Sequence, residues 1–235
     1  GAAKTAVDLS ANFDYITKLD LAAITNFTQP VSTASKTGIL RTVKAALKAY
    51  GTPYKAGFKA KETGAISESI VGGAFEDLHP SKLKDFILAP FNFIERKNRV
   101  IAALAGEDYA KALTTQLVKN PANKKAFRGL SKLGLDPIKL IKQGKLTESD
   151  ILGAGYEVSK RTQFLASVID VPPSWKSPIG RLLSRFKSFS FMQTKFLRDE
   201  VVKEVGKGNF APLLRFLVIA PVASYVTQSA RNWIN

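Results

Sequence analysis

Three observations predict an all-helical fold. Apolar residues recur at helical spacing along most of the chain, as in Ile39, Val43, Ala46, Leu47 and Tyr50. No segment alternates with the period of two that a half-buried strand needs. Proline and glycine interrupt the chain at helix-length intervals. The expected class is mostly α, a multi-helix module with long amphipathic helices and little or no sheet.

The elements follow in order. Ala2 to Leu19 and Asp20 to Phe27 read as short amphipathic helices, and Gln29-Pro30 as a break, because the residue before proline is pushed out of the helical region. Thr33 to Tyr50 reads as one helix stopped by the turn that begins at Gly51. Pro53 to Gly64 reads as a basic loop, and Thr63 to Phe75 as a short helix weakened by Gly64, Gly72 and Gly73. Pro80 to Leu88 and Pro90 to Gly106 form a pair, each proline suiting a first helical turn. Glu107 to Lys119 ends at Asn120-Pro121, and Ala122 to Leu133 is closed by Gly134.

Asp136-Pro137 starts a compact helix that Gly144 ends. Thr147 with Asp150 three residues on resembles a capping box, opening a helix to about Ser167. A long basic helix over 178–206 and an apolar tail helix over 209–233 complete the chain. Turns and basic residues cluster between Lys119 and Lys145, dividing the chain into regions 1–118 and 119–235. The expected core includes Phe91, Ile94, Ile101, Leu104, Leu165, Leu182, Phe186, Phe189 and Leu197. The chain opens at Gly1 and its single methionine is Met192, so a piece of a larger polypeptide is expected.

Composition narrows the function classes. In 235 residues, 35 Lys and Arg face 19 Asp and Glu, a formal net charge of +16. An excess that large predicts affinity for a polyanion, nucleic acid or an anionic membrane surface. The basic residues are concentrated. Leu21 to Lys61 holds seven of them and Val171 to Arg198 holds six, with no acid in either stretch. Cysteine is absent, which removes disulfides, thiolate catalysis and cysteine-held zinc. The one histidine, His79, precedes Pro80 at a helix entry, where a capping or turn role suits it.

No catalytic, metal or cofactor motif emerges. Gly72-Gly73 and Gly153-Ala154-Gly155 follow no strand and lack a phosphate-loop lysine. Glu148 and Asp150 fit helix-start electrostatics. Glu95 and Arg99 fit an intrahelical pair. An enzyme is not expected, and neither is a cofactor.

The strongest local signal is Val171 to Glu200, VPPSWKSPIGRLLSRFKSFSFMQTKFLRDE. Arg181, Arg185, Met192 and Lys195 fall near one helical stripe, beside faces filled by Ile179, Leu182, Leu183, Phe186, Phe189 and Phe196. The polyanion-facing set read from this pattern is Arg181, Arg185, Lys187, Lys195 and Arg198, with Lys44 and Lys48. Contacts of this kind go to phosphates and carry no base readout.

Phe210 to Val226 is apolar except for Arg215 and small polar residues, and it contains Pro212 and Pro221. It falls short of the roughly 20 apolar residues of a spanning helix. Two readings stand: a buried core helix, or a segment that inserts in a bilayer after release. In the second, Leu213, Leu214, Phe216, Leu217, Ile219 and Trp233 face the lipid.

Three strings carry a family likeness. LAPFNFIERKNRVIAALAG (Leu88 to Gly106) resembles a helix of the large polyvalent proteins of tailed phages, and so does Ser159 to Val201. Leu21 to Ala34 looks like the start of the same module. The resemblance implies an internal virion or ejection component, packaged near the portal and delivered toward the host envelope. Its implied partners are copies of itself in a ring-like homo-oligomer, portal or tail-tube proteins, genomic DNA and the host membrane. Two other functions compete: a sequence-independent nucleic-acid-binding domain, and a structural linker within an enzyme-bearing virion polyprotein.

Overall fold

The computed structural model describes residues 29–52, 82–163 and 193–234. Helices α1 (Gln29–Thr37) and α2 (Ile39–Gly51) come first, then the long α3 (Lys82–Lys119). They are followed by α4 (Lys124–Lys132), α5 (Pro137–Gln143) and α6 (Glu148–Thr162). A π-helical turn at Leu197–Val202, the one-turn α7 (Lys203–Val205) and α8 (Ala211–Ile234) close the chain. No strand occurs among the described residues, so the all-helical expectation holds.

Helix α3 is the spine. Its broadest contact is with α6, across the boundary placed near residue 118, and α2, α4, α1 and α5 also pack on it. Ala110, Leu113 and Leu117 of α3 meet Ala126, Leu130, Leu133, Leu140, Ala154 and Val158 in one buried cluster. A second cluster joins Ala45 and Ala49 of α2 to Val100, Ile101 and Ala105. Of the expected core, Ile101 is buried, while Ile94, Leu104 and Leu197 are half-buried. The side chain of Phe91 and residues Leu165, Leu182, Phe186 and Phe189 lie outside the described residues, as do the helices expected over 2–27 and 63–75 and the loop at 53–64.

The local signals at α5 and α6 work as read. The Asp136 carboxylate accepts from the backbone N–H groups of Ile138 and Lys139, and Gly144 ends α5 at a φ of 71°. Thr147 and Asp150 close a full capping box, with Thr147 N–H donating to Asp150 Oδ2 at 2.9 Å. Thr147→Ala is expected to remove about 1 kcal/mol, seen as a fall of about 2–4 °C in Tm.

Three boundaries differ from the expectation. Gln29 and Pro30 are themselves helical: Pro30 sits in the first turn of α1, where proline's missing N–H has no partner to lose. Thr33 to Tyr50 is two helices, because Gly38 bends the chain with a φ of 111° that side-chain-bearing residues rarely adopt. The helices expected at 80–88, 90–106 and 107–119 are one, with Pro90 accommodated inside α3.

Helix α2 turns its large apolar residues outward. Ile39, Leu40, Val43, Leu47 and Tyr50 are exposed, Leu40 to 85% and Leu47 to 70%, while α2 buries Thr42, Ala45 and Ala49. Small residues let α2 approach α3 closely, and the large apolar residues are left outside. The reading of Phe210 to Val226 as a buried core helix fails: Phe210, Leu214, Leu217, Val218, Val222 and Tyr225 are all exposed. Among the described residues no helix is long and apolar enough to cross a membrane.

Candidate functional site

Helix α1 is buried almost throughout although it reads QPVSTASKT. It lies among α2, α3, α6 and α8, so its hydroxyls must find partners inside the protein. Thr33 donates to Thr162 at 3.0 Å and accepts from Gln163 Nε2 at 2.9 Å. Thr37 donates to the Thr33 carbonyl, and Ser35 to the Pro212 carbonyl at 2.8 Å, which pins the start of α8.

One turn of α1 away stands a charge cluster that the sequence did not announce. The π-helical turn directs Glu200 inward while Asp199, one residue before it, pairs outside with Arg198 and Lys203. Glu200 Oε2 lies 2.7 Å from Lys36 Nζ and 3.3 Å from Lys132 Nζ, and Oε1 lies 3.3 Å from Arg161. Lys132 also reaches Glu204 at 2.9 Å. One carboxylate therefore ties α1, α4 and α6 to the segment that leads into α8.

Burial is the largest single influence on both Lys36 and Glu200, but it decides the direction only for Lys36. It pulls the Lys36 ammonium from 10.5 down to about 8, against the opposing pull of Glu200. Burial would raise the Glu200 carboxyl, but Lys36, Lys132 and Arg161 together outweigh it and hold the pKa below the ordinary value. At neutral pH the pair is ionised, with the amine near its limit. Glu95 and Arg99, the intrahelical pair expected on α3, are buried as well, with Arg99 only 2% exposed.

The residues read as polyanion-facing divide three ways. Lys44 and Lys48 are exposed on α2, beside its uncovered apolar residues. Arg198 is exposed but bonded to Asp199 at 3.0 Å, so part of its charge is answered locally, and Lys195 is half-buried. Arg181, Arg185 and Lys187 lie outside the described residues, as does His79. In the tail, Leu214 and Leu217 are exposed, Leu213, Phe216 and Ile219 are half-buried, and the Trp233 side chain is not among those described.

Sequence reasoning missed Lys36, Lys132 and Arg161, which it counted only as members of the basic excess. The available signal was Glu200, an acid set among basic residues and followed by valines. Its partners lie 39 to 164 positions away in the chain, beyond the reach of any spacing rule.

A different pair of cations stands at the corner of α1, α2 and α8. Arg41 Nη1 and Arg215 Cζ both lie within 4 Å of the point where a Cβ on Gly38 would stand. Arg41 donates to the Thr37 carbonyl, and Arg215 to the carbonyls of Ser35 and Lys36, so both cap the C-terminal end of α1. The Tyr109 ring lies beneath Arg41, 5.9 Å from its guanidinium carbon. Comparison with known proteins finds no family model, no curated protein and no solved structure that matches the chain.

Proposed function

We propose that this chain is a non-enzymatic helical module that assembles through exposed apolar helix faces and meets an anionic partner. Its setting in this reading is the interior of a tailed-phage virion near the portal, and the host envelope after ejection. The observation that supports it most is α2. That helix exposes Ile39, Leu40, Val43 and Leu47 together with Lys44 and Lys48, and it carries no acid. A face both apolar and cationic suits contact with further copies and with phosphates. The virion setting comes from the likeness of Leu88 to Gly106 and of Ser159 to Val201 to helices of large polyvalent proteins. Partners in this reading are copies of the chain, portal or tail-tube proteins, genomic DNA and the membrane surface.

A sequence-independent nucleic-acid-binding domain is the second reading, favoured by the same exposed lysines. Light scattering and DNA titration separate the two. The first expects a closed homo-oligomer whose affinity for duplex DNA falls as salt rises. Lys44→Gln with Lys48→Gln should flatten that slope by about 0.9 for each phosphate no longer neutralised. A monomer with the same salt-dependent affinity supports the second reading. A monomer indifferent to DNA removes both.

A further inference from the structure

We propose that Arg41 and Arg215 form a binding site for one phosphate group, at the corner where α1, α2 and α8 meet. The inference deepens the reading above and rests on its anionic partner, but it moves the contact to residues outside the lysine surface.

Both guanidiniums sit beside Gly38, and among the described residues no carboxylate pairs with either. The cations of the Glu200 cluster, a short way along α1, do have carboxylates. Burial lowers the pKa of Arg215; Tyr109 opposes that shift and the Arg41 charge adds to it. Two like charges held together in a partly buried corner are relieved by an anion between them.

A guanidinium carries five N–H donors in a planar fork. Arg41 uses one nitrogen on the Thr37 carbonyl, and Arg215 uses one on Ser35 and Lys36. Those bonds and the Tyr109 ring fix where each side chain stands, leaving the remaining N–H groups for an oxyanion with several acceptor oxygens. Glycine at position 38 keeps the corner open, since a Cβ there would stand 3.3 Å from Arg41 Nη1.

The phosphate has two candidate sources, a free phosphate and a lipid headgroup. Exposed Leu40 and Leu214, each next in sequence to one of these arginines, would meet the acyl boundary in the second case. Titration calorimetry of the intact chain with inorganic phosphate, and flotation with phosphatidylglycerol vesicles, separate the sources. Arg41→Gln and Arg215→Gln should each weaken phosphate binding at least tenfold. Lys44→Gln with Lys48→Gln should leave it unchanged while reducing DNA affinity, so this site and the lysine surface fail independently. Arg215→Gln also loosens the cap on α1; Arg41→Gln, which gives up only the bond to Thr37, covers the case in which that variant unfolds.

Binding of inorganic phosphate at one per chain, abolished in the arginine variants, supports a free-phosphate site. Arginine-dependent flotation without binding of inorganic phosphate supports a lipid headgroup. Equal binding by the arginine variants overturns the proposal. So does an absence of binding in both arms, or an effect of the arginine variants on DNA affinity alone.

Discussion

Glu200→Ala is expected to lower unfolding stability by about 3–5 kcal/mol, the usual penalty for removing one partner from a buried ion pair. The substitution leaves Lys36 buried, its side chain 5% exposed, facing Lys132 and Arg161 without the carboxylate they share. Lys132 and Arg161 are 27% and 39% exposed, so water can take up their charge, whereas Lys36 has no such outlet. The double variant Lys36→Met, Glu200→Leu should therefore lose less than Glu200→Ala alone, because no buried charge is left unanswered. Urea midpoints at constant m would show the order. A Glu200→Ala chain within about 1 kcal/mol of the parent would mean that the cluster opens to water in solution.

The same cluster sets two pH windows, and in both of them stability rises with pH. The Glu200 pKa is depressed, so its contribution is fully present above the ordinary carboxyl value of 4.5 and is lost as pH falls through the folded value. The Lys36 pKa is depressed too, from 10.5 to about 8. Between those values the unfolded chain holds more protons, so this group's contribution to stability rises with pH. In Glu200→Ala the rise should begin at lower pH, since the counter-charge that helped to keep Lys36 protonated is gone.

Gly155→Leu is the second large effect, about 3 kcal/mol or more of destabilisation. A Cβ at Gly155 would stand 3.0 Å from the Ala103 carbonyl oxygen, a backbone atom of α3 that cannot turn aside. On the facing helix, a Cβ at Gly106 would meet Val158 Cβ at 2.8 Å. Small residues thus hold α3 and α6 at close range, and a leucine must force the two apart along their broadest contact. Gly153→Leu is the control. It lies on the same helix with nothing within 4 Å of its Cβ, so it should be neutral or stabilising by up to about 1 kcal/mol through helix propensity. Equal losses at 153 and 155 would show that the effect is not one of packing.

Much of the local structure was legible in the residues. Asp136-Pro137 with Gly144, and Thr147 with Asp150, specify the ends of α5 and α6 because capping depends on atoms close together along the chain. Glu95 and Arg99 pair because helical geometry alone brings i and i+4 together. The tail helix ran nearly where the apolar pattern placed it.

What lay beyond the sequence depended on partners. Periodicity marked the apolar face of α2, but size decided which face α2 buries. Thr42, Ala45 and Ala49 allow a close approach to Val100, Ile101 and Ala105, and the bulkier Leu40, Val43 and Leu47 remain outside. Pro90 inside α3 and Gly38 between α1 and α2 show a similar dependence: tertiary packing carries a helix through one signal and bends the chain at the other. The candidate sites are the clearest case. Lys36, Lys132 and Arg161 meet Glu200, and Arg41 meets Arg215, only because the helices that carry them pack together. By itself the sequence determined the helical class, the caps and the basic excess, all of which are local or additive. The tertiary structure alone decided which charges are answered within the protein and which face outward, because that depends on the distances between residues far apart in the chain.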